Sequence, residues 1–178
     1  MEAVLRRAPK LDGRPIRVRL APDLRAHGGR LISGGSRGTE VHAGSFLRQR
    51  EIVLGSELPG LPAEFARIFL HEVFHFVWLR AGNRLRRSWE TLLEGELRRH
   101  ARGELGWSAD GRKRQLRPGD RAARSRRWRD YVCESFCDSA AWLLAGARAH
   151  EEFTLARRFR EGRRVWLQTL LGRPELRV

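Results

Sequence analysis

The string His71-Glu72-Val73-Phe74-His75 holds the residues of this 178-residue chain whose types and spacing most clearly could do chemistry. Residues four apart lie on one side of a helix, so the two imidazoles can converge on a single ion while Glu72 reaches a water held by it. That arrangement suits hydrolysis: the ion acidifies the water, and a carboxylate takes its proton as the water attacks a carbonyl. The flanking residues Phe69, Leu70, Phe76, Val77 and Trp78 are apolar, which predicts a helix buried on all sides. A carboxylate and two imidazoles are costly there unless they are paired or bind a metal. The competing reading is a pair of satisfied core histidines, with Glu72 held by an arginine.

A catalytic zinc usually takes three protein ligands and leaves a fourth position for water, so one more His, Glu or Asp is required. The best source is Tyr131-Val132-Cys133-Glu134-Ser135-Phe136-Cys137-Asp138, in which Glu134 and Asp138 are four apart among apolar residues and can face one point. Glu90, Glu94 and Glu96 alternate with surface-type residues and read as solvated charges, with Glu94 kept as a reserve ligand. Cys133 and Cys137 could bind zinc, but two thiolates with two histidines would close the shell into a structural site, so they read as small buried hydrophobes. Tyr131, one turn before Glu134, could donate a hydrogen bond to a substrate oxyanion or anchor its helix against a sheet. His42, His100 and His150 stand at no marked spacing.

With H-E-x-x-H followed by Glu-x-x-x-Asp, the chain resembles the gluzincins, the thermolysin-like branch of the zincin metallopeptidases, over roughly residues 46–144. The resemblance implies one Zn2+ per chain held by His71, His75 and Glu134, with Asp138 bonded to the distal ring nitrogen of His71. It also implies that Glu72 acts as general base, that peptides or proteins are the substrate, and that residues 48–54 form the edge strand on which an extended peptide lies. The arginine-rich spacer between His75 and Glu134 departs from the family pattern. The third histidine and methionine turn of the metzincins are absent, Met1 being the only methionine. More loosely, the chain is similar to compact bacterial metallopeptidases that cleave repressors.

The elements that must position these residues follow from local patterns. Residues 15–20 alternate Ile16, Val18 and Leu20 with arginines, the period of a half-buried strand. Glycines at 28, 29, 34, 35 and 38 read as hairpin turns, and further extended runs are expected at 40–43 and 46–54. Helices are expected at 62–81, where Pro62 and Glu64 suit a first turn, at 88–102 with Ser88 as cap, at 121–146 and at 150–171, with a loop over 110–120. The sum is an α+β fold in a single domain over residues 1–178: a small, twisted, mostly antiparallel N-terminal sheet, then helices around the H-E-x-x-H helix.

Composition bounds the setting. Two cysteines four apart on one helical face make no disulfide framework, and no apolar run suits a signal peptide or membrane span, so the chain reads as cytoplasmic. The formal charge is +15, yet only Lys10 and Lys113 of the 36 basic residues are lysine, which points to compositional bias and a solvated arginine surface. The alternative is a nucleic-acid-associated protein. The interval 84–129, which opens on Arg84 and closes on Arg129, interleaves Trp89, Trp107 and Trp128 with basic residues, so it could bind phosphate and stack bases. A further alternative is a zinc-binding scaffold that does not hydrolyse.

Overall fold

Glu51-Ile52-Val53-Leu54-Gly55 is the segment around which the sheet is built. In the computed structural model, which describes residues 9–28, 30–34, 37–147 and 149–178, it forms strand β7 (Glu51–Gly55), buried on both faces. Gly29 and Gly35 of the glycine-rich run, and the first eight residues, lie outside the described part. Strand β2 (Arg17–Ala21) pairs with β7 in parallel, and β6 (Ala43–Phe46) pairs antiparallel on its other side. The order is β2-β7-β6. Parallel neighbours need a crossover, and residues 22–50 supply it. That excursion holds a second three-stranded antiparallel sheet of β3 (Leu24–His27), β4 (Arg30–Ser33) and β5 (Thr39–Glu40). Near the chain ends β1 (Leu11–Asp12) pairs in parallel with β8 (Leu176–Arg177).

The expected α+β fold, strands first and helices after, is the one observed, with three of five strand pairings antiparallel. Several strand expectations change: the runs expected at 40–43 and 46–54 are interrupted at 41–42 and by a turn at 47–50, and the strands form three sheets and not one. Residues 48–54 do not form an edge: β7 is central, and the edge on the helix-bearing side is β6. Strand β2 is not half-buried, because it ends the sheet, and Val18 and Leu20 remain 44% and 47% exposed.

Helix α1 (Pro62–Arg80) opens with Pro62 at its first position and Glu64 in its first turn. It is apolar on nearly every side because it lies between β6 and β7 and a second long helix, α4 (Arg126–Ala145). Phe74 and Trp78 of α1 meet Phe136 of α4 at ring separations of 5.7 and 5.0 Å, and Ile52 and Leu54 close the other side. Helix α2 (Asn83–Arg98) starts five residues before Ser88, whose hydroxyl donates to Leu85 O and accepts from Trp166 Nε1 instead of capping. Arg86 fixes that earlier start by donating to the last carbonyls of α1, Trp78 O at 2.8 Å and Leu79 O at 3.0 Å.

Helix α3 (Trp107–Arg114) takes the place of part of the expected loop, and Asp120 anchors the turn that follows through Arg117 N and Arg127. Ser125 caps α4 by accepting from Trp128 N, and left-handed Gly146 ends it, so α4 begins at 126 and not 121. Helix α5 (Arg157–Leu171) begins at 157 and not 150. The residues before it form an irregular segment tied down by a hydrogen bond between His150 and Glu64 and an ion pair of Glu152 with Arg67.

Candidate metal centre

His71 and His75 stand one turn apart on α1 with their rings edge to face, and their Nε2 atoms are 3.1 Å apart. Glu134 of α4 brings Oε2 to 3.3 Å from His71 Nε2 and 3.7 Å from His75 Nε2. Tetrahedral coordination with bonds of about 2.0–2.1 Å sets neighbouring nitrogen and oxygen ligands roughly 3.3–3.4 Å apart, so all three separations suit one ion. The same separations also suit hydrogen bonds of a protonated His71 with Glu134 and His75, so the cluster is a candidate metal site. The donor set of two imidazoles and a carboxylate suits a borderline cation such as zinc. Among the described residues Glu94 joins no such cluster, and Glu90 and Glu96 are not solvated: they are buried, paired with Arg124 and Arg163.

Both histidines are held from their far sides. Asp138 accepts from His71 Nδ1 through Oδ1 at 2.7 Å, which leaves the Nε2 lone pair for an ion. Its Oδ2 accepts from the backbone N–H of Ala109 at 2.8 Å, so the same carboxylate caps the first turn of α3. Gly106 makes room: a Cβ there would lie 2.2 Å from the Asp138 carboxyl carbon. On the other histidine, Nδ1 of His75 faces two sulfurs, Cys137 Sγ at 3.5 Å and Cys133 Sγ at 3.6 Å. The cysteines therefore sit on the nitrogen that points away from Glu134 and cannot close the His71/His75/Glu134 shell.

Charges follow this geometry. Burial alone pulls His71 down, but the charge and hydrogen bond of Asp138, then Glu134 and Glu72, outweigh it and hold its pKa well above the usual imidazole range. Burial would raise Glu134, but the hydrogen bond from His71 and the charges of both histidines and Arg112 bring it below the usual carboxylate range. Without an ion the triad thus stores positive charge beside an ionised carboxylate.

The chain matches no family model, no curated protein and no solved structure.

Glu72 borders a recess of about 340 Å³ with Gly44, Ser45, Leu47, Ser108, His71, His75 and Glu134. It is 8% exposed, and its partner is not an arginine: Ser45 of β6 donates to Oε2 at 2.5 Å. Ser45, Ser108 and Gly106 escaped sequence reading because nothing in the local pattern marks them. Only the register of β6 against β7, with Ser45 opposite inward-facing Ile52, turns Ser45 toward α1.

Tyr131 does not reach the recess. It is fully buried and donates to Glu104 Oε1 at 2.7 Å, with burial and the Glu104 charge pushing its phenol well above the ordinary value. Glu104 also meets Arg163 Nη1 at 2.6 Å and Lys113 Nζ at 3.0 Å, and Arg163 holds Glu96 at 2.7 Å. Two cations and two carboxylates thus neutralise one another in the core.

Part of the basic interval is similarly engaged. Arg124 pairs with Glu90, Arg127 with Asp120 and Arg114 with Asp110, while Arg86 caps α1. Trp89 and Trp128 are fully buried and cannot stack on bases, which leaves Trp107, 49% exposed, as the accessible tryptophan of the interval. No helix among the described residues is long and apolar enough to cross a membrane.

Proposed function

We propose that this protein is a zinc-dependent hydrolase, a peptidase acting on peptide or protein substrates in the manner of the gluzincins it resembles. One observation carries the reading: His71 Nε2, His75 Nε2 and Glu134 Oε2 converge at a recess that also holds the Glu72 carboxylate. These three residues would hold the ion, which when bound acts as a Lewis acid and lowers the pKa of water.

The chain's own residues do the rest. Asp138 fixes the tautomer of His71 so that Nε2 stays unprotonated, and the charge of Asp138 is shared with the α3 backbone. Glu72 accepts a proton on its carboxylate as water adds to the substrate carbonyl and passes it to the departing nitrogen. Ser45 aims that carboxylate through its hydroxyl. Strand β6 has β7 on one side only, so its outer backbone edge beside Ser45 suits an extended peptide added in register.

The test is Glu72→Gln against His71→Ala and Glu134→Ala, with zinc measured by elemental analysis and turnover on a quenched-fluorescent peptide library. The expected result is about one zinc per chain in wild type and Glu72→Gln, zinc lost from the other two, and turnover only in wild type. Full activity in Glu72→Gln would refute the assignment of the base.

A further inference from the structure

His75 presents a second ligand face that the hydrolytic site leaves unused. Cys133 and Cys137 lie one turn apart on α4, and with His75 Nδ1 their ligand atoms all fall within 4.8 Å of one another. Tetrahedral coordination with metal–sulfur bonds of about 2.3 Å and a metal–nitrogen bond of about 2.0–2.1 Å sets S and N roughly 3.5–3.6 Å apart. The observed separations are 3.5 and 3.6 Å. Neither cysteine is in a disulfide, Cys133 is half-buried and Cys137 fully buried, so the pair is approached from the Cys133 side.

We infer that His75 Nδ1, Cys133 Sγ and Cys137 Sγ form a separate binding site for one soft, thiophilic cation. Two thiolates and one imidazole select for soft ions such as Cu+ or Cd2+ over hard cations, which prefer oxygen. The site rests on its own three atoms and not on the hydrolase reading. It nevertheless touches the first centre, because a neutral imidazole carries one proton. When a cation takes Nδ1 and the sulfurs lose their protons to solvent, the ring proton sits on Nε2. The lone pair that faces His71 and Glu134 is then gone. A soft ion at the sulfur face therefore weakens metal binding at His71, His75 and Glu134, and an ion there weakens the sulfur site.

The experiment is a Cd2+ titration of the 178-residue chain after chelation under reducing conditions, reading the ultraviolet thiolate-to-cadmium charge-transfer absorption. Wild type and Glu134→Gln are expected to develop the band and saturate at one cadmium–thiolate centre per chain. Cys133→Ser should lose at least half of the band, and Cys133→Ser/Cys137→Ser all of it. Cys133 is half-buried, so the single variant tests the site where the double variant does not fold. Absence of the band in wild type at saturating Cd2+, or its survival at full strength in Cys133→Ser, would overturn the proposal. Survival of the band at full strength in Glu134→Gln separates this site from the hydrolytic one. A band that also disappears in Glu134→Gln would show a single mixed site and overturn the inference.

Discussion

Asp138→Asn is the substitution whose effect the geometry defines most closely. The carboxylate accepts two N–H bonds on two oxygens, from His71 Nδ1 at 2.7 Å and Ala109 N at 2.8 Å. An asparagine of the same shape has one acceptor oxygen and one NH2, so whichever way it turns, a donor faces a donor. With the NH2 against Ala109 a buried N–H is left unpaired, at about 1–3 kcal/mol; with it against His71 the imidazole shifts its proton to Nε2 and accepts. If His71 keeps the oxygen, α3 loses its cap and the protein loses stability. If Ala109 keeps it, His71 loses its negative partner and favours the wrong tautomer. The second case is expected to weaken zinc binding by roughly 10–100-fold, the usual effect of removing a carboxylate behind a ligating histidine. Chelator competition measures the zinc affinity, and urea unfolding of the metal-free protein measures the cap. Gly106→Ala is the companion, because its methyl would displace the same carboxylate without changing its charge. It should weaken zinc binding in the same direction. Wild-type zinc affinity together with wild-type stability in Asp138→Asn would refute the reasoning, since no rotamer satisfies both donors.

Arg163→Met would strand Glu96 and Glu104 in the core without their main cation, and is expected to cost about 3–5 kcal/mol in urea unfolding. Tyr131→Phe removes a buried hydrogen bond to Glu104 and should lower stability by about 1–2 kcal/mol, while zinc content and the kcat of any substrate found stay unchanged, because the phenol lies outside the recess. Burial raises the Glu104 pKa, but Arg163, Lys113 and Tyr131 together bring it below its ordinary value. A carboxylate held low in the folded state contributes stability that is fully present above its unfolded pKa, about 4.5, and is lost as pH falls through the folded value. Urea midpoints of the metal-free protein should therefore decline on acidification below about pH 4.5, and a midpoint that rises there would contradict the ionised cluster.

The parts of the site that sequence reading reached are the local ones. His71 and His75, and Glu134 and Asp138, are each four apart, so helical geometry alone predicts that each pair shares a face. That the two pairs meet depends on α1 and α4 packing together, which their apolar surroundings suggest without fixing the register. What could not be read is long-range. Helix α3 lacks a capping side chain of its own and is completed by Asp138 and by Glu152, whose Oε2 accepts from Trp107 N at 2.8 Å. Ser88 fits the preference for a cap but lies inside α2, because Arg86 and the chain exit from α1 start the helix earlier. The placement of β7 at the centre follows from its pairing with β2, across a crossover whose glycine-rich sequence reads only as turns.

The same helical arithmetic explains why one short stretch of α4 serves three environments. Each residue turns about 100° around the axis, so relative to Glu134 the side chain of Asp138 stands roughly 40° to one side and Tyr131 roughly 60° to that same side. Cys137 and Cys133 stand roughly 60° and 100° to the other. Asp138 and Tyr131 therefore lean toward α3 and Glu104, which they meet, while the cysteines lean to the far edge of His75. Glu134 alone points between His71 and His75. A one-residue shift of α4 would turn its carboxylate about 100° out of the triad, so the packing of Phe136 against Phe74, Trp78 and Trp89 is what holds the ligand register. Because Phe136 lies two residues after Glu134, enlarging the core there would displace Glu134 from His71 and His75.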